Sequence, residues 1–290
     1  MSRHKVVRSE RGLRPRQPGG RFGRGAQPPS EGFQAIRFEL ADGVATVTMN
    51  RPERLNAIDE TMRHELRALA DVCYADDAIR VVVFTGAGKA FSVGADLEIF
   101  ERDWDTPAFR AQSRLLSNFF GDLEALEKPV LAAINGTCVG GGLELALACD
   151  LRIAAASARL GFPEANIGLI PGVGGCSRLV KLVGYGRAKE LVLTGELIAA
   201  AEARAIGLVN RVVADGELGA AARELAARLL RRAPQALGLA KRVIRECVNA
   251  DLAAGRTLEG LAQSILLKTQ DHQEGVQAFR AKRPPRFEGR

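Results

Sequence analysis

Asn135-Gly-Thr-Cys-Val-Gly-Gly-Gly-Leu-Glu144 decides how the rest of the chain reads. Three consecutive glycines, 140–142, let the backbone turn tightly and let a ligand approach with no Cβ in the way. A helix-like run over 143–149 follows at once, so the glycines stand at a helix N-terminus. Unpaired N–H groups and the positive end of the helix dipole favour a negative oxygen there. Glu144 falls in the first turn, beside that oxygen site. Backbone donors and a carboxylate side by side point to acid–base work on a carbon next to a carbonyl.

Working outward, Gly86-Ala-Gly-Lys-Ala-Phe-Ser-Val-Gly-Ala-Asp96 follows an expected strand over 80–85 and supplies a second glycine-rich turn. Gly161-Phe-Pro-Glu164 leads into Ile167-Gly-Leu-Ile-Pro-Gly-Val-Gly-Gly175 and offers a second carboxylate. Residues 34–40 and 44–50 read as strands around Asp42-Gly43. Over 57–76, Ile58, Met62, Leu66, Leu69 and Cys73 fall on one helical face, with Asn56 as the expected N-cap. Short apolar runs at 80–85, 129–134 and 151–155 predict strands buried on both faces. From Gly216 onward the chain is helix-like, with apolar periods Leu237/Ala240/Ile244/Cys247 and Leu258/Leu261/Ile265. Strands alternating with helices predict an α/β fold, and periodicity alone suggests a doubly wound sheet.

Composition bounds the function classes. A chain of 290 residues with 47% hydrophobic content can bury one sizeable core. The longest apolar runs fall short of the roughly 20 residues that span a bilayer. Five scattered cysteines without CxxC pairing predict reduced thiols and a cytoplasmic location. The net charge of +7 is local: residues 1–30 hold eight of the 41 basic residues and one of the 34 acidic ones, leaving 33 of each in the remainder. Residues 1–32 therefore read as a disordered, basic, Gly/Pro-rich tail. A functionless extension, an organellar presequence and a nucleic-acid-binding arm are its three readings. Its prolines oppose the amphipathic helix of a presequence, and Phe22 alone supplies no aromatic interleaving for nucleic acid.

Arg51-Pro-Glu-Arg-Leu-Asn-Ala57, Gly94-Ala-Asp96, Gly140-Gly-Gly-Leu-Glu144 and Pro163-Glu164, in this order and at these separations, resemble the enoyl-CoA hydratase/isomerase (crotonase) superfamily from about Phe33 to Phe287. The resemblance implies a crotonase-like α/β spiral of ββα turns over 33–215. It also implies a C-terminal helical region over 216–290 that builds homo-trimers, often paired into hexamers. It implies an acyl-CoA thioester substrate, with coenzyme A carried in by the substrate and no other cofactor, no metal and no membrane partner. The amides of Ala95 and Gly141 would form the oxyanion hole. Glu144 and Glu164 would be the catalytic pair, Glu144 activating water and Glu164 transferring the C2 proton. Having both glutamates favours an enoyl-CoA hydratase over a double-bond isomerase. From another class, a catalytically silent scaffold or nucleic-acid-binding protein stays open, although the neutral core opposes it.

The resemblance also implies contacts to substrate and coenzyme A from Arg54, Lys89, Ala90, Asp96, Leu97 and Lys282. Glu98 departs from the family by standing where several relatives carry lysine, and Cys176-Ser177-Arg178 departs from the usual Thr-Gln-Arg. Over 100–120, Trp104, Phe109, Leu115, Leu116 and Phe119 are candidates for the acyl wall. Other motifs fail: Gly86-Ala-Gly-Lys89 is no P-loop, Ser92 has no base beside it, and His4, His64 and His272 are isolated.

Overall fold

The structure, a computed structural model, describes residues 32–290, so the tail lies outside the described residues up to residue 31. β1 (Ile36–Ala41) and β2 (Val44–Met49) pair antiparallel across Asp42 and Gly43, both at positive φ as a two-residue hairpin turn of this kind requires. Ala45, Val47 and Met49 point inward from β2 with full burial. β1 begins later than its pattern predicts because the amides of Gln34, Ala35 and Ile36 donate to the Glu65 carboxylate.

Glu65 belongs to α1 (Glu60–Ala75), whose buried Met62, Leu66, Leu69 and Cys73 confirm the expected face. Its N-cap is Asp59, which accepts from the Met62 amide at 2.8 Å, and not the expected Asn56. Asn56 has a left-handed φ of 58° and is fully buried, so it sits outside the helix and serves another purpose.

The chain then repeats one unit three times. A long strand, a short strand and a helix occur as β3 (Val81–Gly86), β4 (Ala90–Ser92) and α2 (Thr106–Ala125). They recur as β5 (Val130–Ile134), β6 (Thr137–Val139) and α3 (Gly141–Ala148), then as β7 (Leu151–Ala155), β8 (Arg159–Gly161) and α4 (Gly175–Thr194). After β9 (Ile198–Ala199) and α5 (Ala200–Ala205), β10 (Arg211–Val213) closes the larger sheet. The long strands lie parallel in a six-stranded sheet, β1-β2-β3-β5-β7-β10, and the short ones in a four-stranded sheet, β4-β6-β8-β9. This is the ββα spiral. A doubly wound sheet fails because each long strand passes straight into a short strand of a second sheet before any helix forms.

The larger sheet is covered on both faces, which explains its apolar runs. Val82, Phe84, Ala132, Ile134 and Ala154 enter the main core. Val81, Val83, Leu131, Ala133 and Ile153 meet Leu218, Ala222 and Ala226 of α6 (Leu218–Leu230). Three further helices, α7 (Pro234–Cys247), α8 (Leu252–Leu266) and α9 (Gln270–Arg280), complete the C-terminal region. No helix of the described residues is long and apolar enough to cross a membrane.

Candidate active site

The first and second repeats bring the second glycine-rich turn against the glycine run. Gly140 caps α3, and Gly141 is its first residue, so the Gly141 N–H has no acceptor within the helix. α3 packs so close to β4 that a Cβ on Gly142 would stand 2.4 Å from the Ser92 carbonyl oxygen. Only glycine fits there. The same approach brings the Ala95 nitrogen within 3.6 Å of where a Gly141 Cβ would lie. Ala95 and Gly141 are both partly exposed, and among the described residues neither amide donates to a protein acceptor. Two N–H groups without protein acceptors thus stand close together, both partly exposed.

Polar side chains hold Ala95 in place. Ser92 Oγ donates to the Asn56 carbonyl at 2.8 Å and accepts from the Gly94 amide at 3.2 Å. Asn56 accepts from the Arg51 amide and donates to the Ala87 and Ala90 carbonyls at 2.9 and 2.8 Å. Asn135 accepts from the Gly86 amide and donates to the Gly88 and Ala90 carbonyls. These residues were missed as site supports from the sequence, because an isolated asparagine or serine carries no motif. The one available signal was Asn56 and Asn135 each standing beside a glycine-rich turn or a quoted motif.

Glu144 is 3% exposed. Its Oε1 accepts from the Val173 and Gly175 amides, both at 2.8 Å. Burial raises its pKa, and those two bonds and the Arg178 charge oppose the rise. Glu164 stands in a short 3-10 helix, Pro163–Ile167, with Oε1 3.2 Å from the place of a Cβ on Gly140. Its Oε2 is buried with no hydrogen-bond partner among the described residues. Burial first and the Glu144 charge second push its pKa up to about 7. Two carboxyls therefore share one site, both desolvated, but only Glu144 is held by two N–H groups. Cys176 is exposed nearby, its thiol pushed up by burial and by both carboxylates.

The remaining expected residues divide. Ala90 is buried in β4, while Leu97 is 60% exposed just past the Ala95 amide. Asp96 is buried and engaged by Arg51 at 3.1 Å and Arg54 at 3.3 Å. Arg54 also pairs with Glu98 at the same rim. Lys89 and Lys282 are exposed, and among the described residues neither side chain makes a hydrogen bond or ion pair with the site. Of the acyl-wall candidates, Phe119 and Leu116 are core residues, with Phe119 edge-on to Phe84. Phe100 and Phe109 lie tilted against each other at the surface, and the Trp104 indole donates to the Ile99 carbonyl at 2.6 Å.

A sequence model described as enoyl-CoA hydratase/isomerase matches residues 39–290. The chain is 38% identical over 256 residues to a crotonyl-CoA hydratase of Syntrophomonas wolfei, covering 88% of this chain and 98% of that one. It is 41% identical over 249 residues to a short-chain-enoyl-CoA hydratase of Clostridium acetobutylicum, covering 86% and 95%. The crystal structure of an enoyl-CoA hydratase from Bacillus anthracis superposes with a TM-score of 0.85 at 39% identity, over 89% of this chain and all of the other.

Proposed function

The chain belongs to the enoyl-CoA hydratase/isomerase family, and within it we propose a hydratase that adds water across the 2,3 double bond of a 2-enoyl-CoA thioester, or removes it in reverse. The observation that carries the proposal is the pair of carboxyls at one site with different surroundings. As water adds to C3, negative charge grows on the thioester oxygen. The Ala95 and Gly141 amides receive it, and each such donor is worth roughly 3–4 kcal/mol in comparable sites. Glu144, held by two N–H groups that favour its ionised form, takes a proton from water as the hydroxyl bonds to C3. Glu164, protonated up to about pH 7, gives its proton to C2. The net change is one water added, and solvent exchange restores both carboxyls.

Coenzyme A would enter past the Arg51/Arg54/Asp96/Glu98 rim, and we propose Lys89 and Lys282 as further contacts to its phosphates. The substrate carries the only coenzyme required. Five unpaired cysteines, three of them buried, fit a reducing setting, which we propose is the cytoplasm.

Glu144→Gln and Glu164→Gln keep size while removing proton transfer. Each should lower hydration of crotonyl-CoA by roughly 10²–10⁴-fold, with affinity for an unreactive acyl-CoA little changed. Mass analysis of the product reads whether water is added. Double-bond migration without added mass, surviving Glu144→Gln and abolished by Glu164→Gln, would make the chain an isomerase. Near wild-type hydration in both variants would end the proposed mechanism.

A further inference from the structure

We propose that Arg178 is a positioning residue: clamped by Glu124, it fixes the 171–175 turn whose two N–H groups hold Glu144 in the orientation needed to take a proton from water. The inference rests on the hydratase reading for its purpose, but its evidence is the geometry beneath Glu144.

Arg178 lies in the first turn of α4 and folds back over the turn that precedes it. Its Nε and Nη2 donate to the two oxygens of Glu124 on α2, each at 2.8 Å, a fork-to-fork pair. Its Nη1 donates at 2.9 Å to the carbonyl of Val173, the residue whose amide binds Glu144 Oε1. The guanidinium also stands over the Phe120 ring, 5.9 Å from the centroid. One planar group therefore ties α2 to the turn that receives the carboxylate.

The turn is built around that side chain. Gly174 has a φ of 106°, and a Cβ there would fall 1.9 Å from Arg178 Nη1. Glycine is thus required both by the backbone and by the guanidinium. A Cβ on Gly175 would in turn stand 2.9 Å from Glu144 Oε1. Lysine in place of Arg178 has a single ammonium and cannot hold both Glu124 oxygens and the Val173 carbonyl in one plane.

The charges facing these groups are few. Glu144 faces Glu164 from the short 3-10 helix and Cys176 and Arg178 from α4. Arg178 faces Glu124 from α2, and the cavity behind the pair is lined by Arg152, Lys181, Lys241 and Arg245, with Asp150 held by Lys241 at 2.9 Å. Arg178 is thus the cation that acts on Glu144, favouring its ionised form alongside the two amides. Removing it loosens the donors and withdraws the charge, and both effects raise the pH at which Glu144 ionises.

The test compares the wild-type chain with Arg178→Met and Arg178→Lys. Glu144 is titrated by carboxyl ¹³C NMR, assigned by difference with Glu144→Gln, and crotonyl-CoA hydration is followed against pH. In Arg178→Met the Glu144 titration should rise by about one pH unit or more. The acid limb of kcat should rise with it, with kcat at neutral pH down about tenfold or more and KM within about threefold. Arg178→Lys, which keeps the charge and loses the fork, should fall between the two. If Arg178→Met does not fold, an intermediate titration in Arg178→Lys supports the proposal and an unchanged one overturns it. An unmoved Glu144 titration in a folded Arg178→Met also overturns it. A wild-type chain that fails to hydrate would remove the hydratase reading while the NMR comparison still decides the role of Arg178.

Discussion

Glu164 is an acid held half out of water beside another acid, and that placement has a cost in stability as well as a use in catalysis. Its ordinary pKa of 4.5 moves to about 7 in the folded chain, because burial and the Glu144 charge both disfavour the ionised form. Between these values the folded chain keeps a proton that the unfolded chain has released. The unfolded state is then favoured increasingly as pH rises, so this group's contribution is intact below about pH 4.5 and lost through pH 7. Glu164→Gln removes the titration. Its Tm should therefore exceed that of the wild type at pH 8, with the gap closing as pH falls toward 5. A gap that widens on acidification would contradict the assignment. In hydration, the same protonated form is the C2 donor, so kcat should fall as pH rises above about 7.

At the scale of elements, the two amides of the candidate oxyanion site belong to different repeats, and their spacing depends on what pins the 86–95 segment to α3. Asn56 is the central pin. It is fully buried and joins three backbone groups from the 51–57 turn and the 86–90 turn. Asn56→Ala leaves the half-buried Arg51 amide and Ala87 carbonyl without this partner, while the Ala90 carbonyl keeps Asn135. Each orphaned group costs about 1–3 kcal/mol, so the net loss from two should be roughly 2–6 kcal/mol, read as a fall in denaturant midpoint. Asn56→Asp keeps the acceptor for the Arg51 amide but turns a carboxylate oxygen toward two carbonyls, and it should be no better. Activity should fall in both variants through displacement of Ala95. A full-strength oxyanion site in Asn56→Ala would show that α3 alone sets the geometry.

At the scale of the whole molecule, the C-terminal helices present more apolar surface than a lone chain needs. Ile244 on α7 is 67% exposed, and Leu261 and Ile265 on α8 are 59% and 56% exposed. These are the residues whose helical period marks an apolar face, and in the single chain that face is not covered. Apolar patches of this kind mark contact surfaces. A neutral folded part does not oppose association by charge. We expect a trimer, or two trimers paired, with this region between subunits. Light scattering should find the assembly at micromolar concentration, and Leu261→Glu with Ile265→Glu should release smaller species. A wild-type monomer under those conditions would refute it.

The sequence by itself determined the segments that matter and their order: the buried parallel strands, the face of α1, the helical end, and the glycine turns beside two glutamates. These were legible because each is local. Period-two and period-3.6 patterns report burial directly, and runs of glycine report close backbone approach. Repetition of the ββα unit was not legible, because β4, β6 and β8 are three-residue strands that carry no pattern of their own. The role of Asn56 was misread as a helix cap, since a buried asparagine joining two turns looks the same in one dimension. That the Ala95 and Gly141 amides come close together, that Glu144 is held by the 171–175 turn, and that Glu164 Oε2 has no hydrogen-bond partner among the described residues were decided only by the tertiary structure. Each depends on backbone groups from distant repeats meeting at one point, and backbone groups are the same in every sequence.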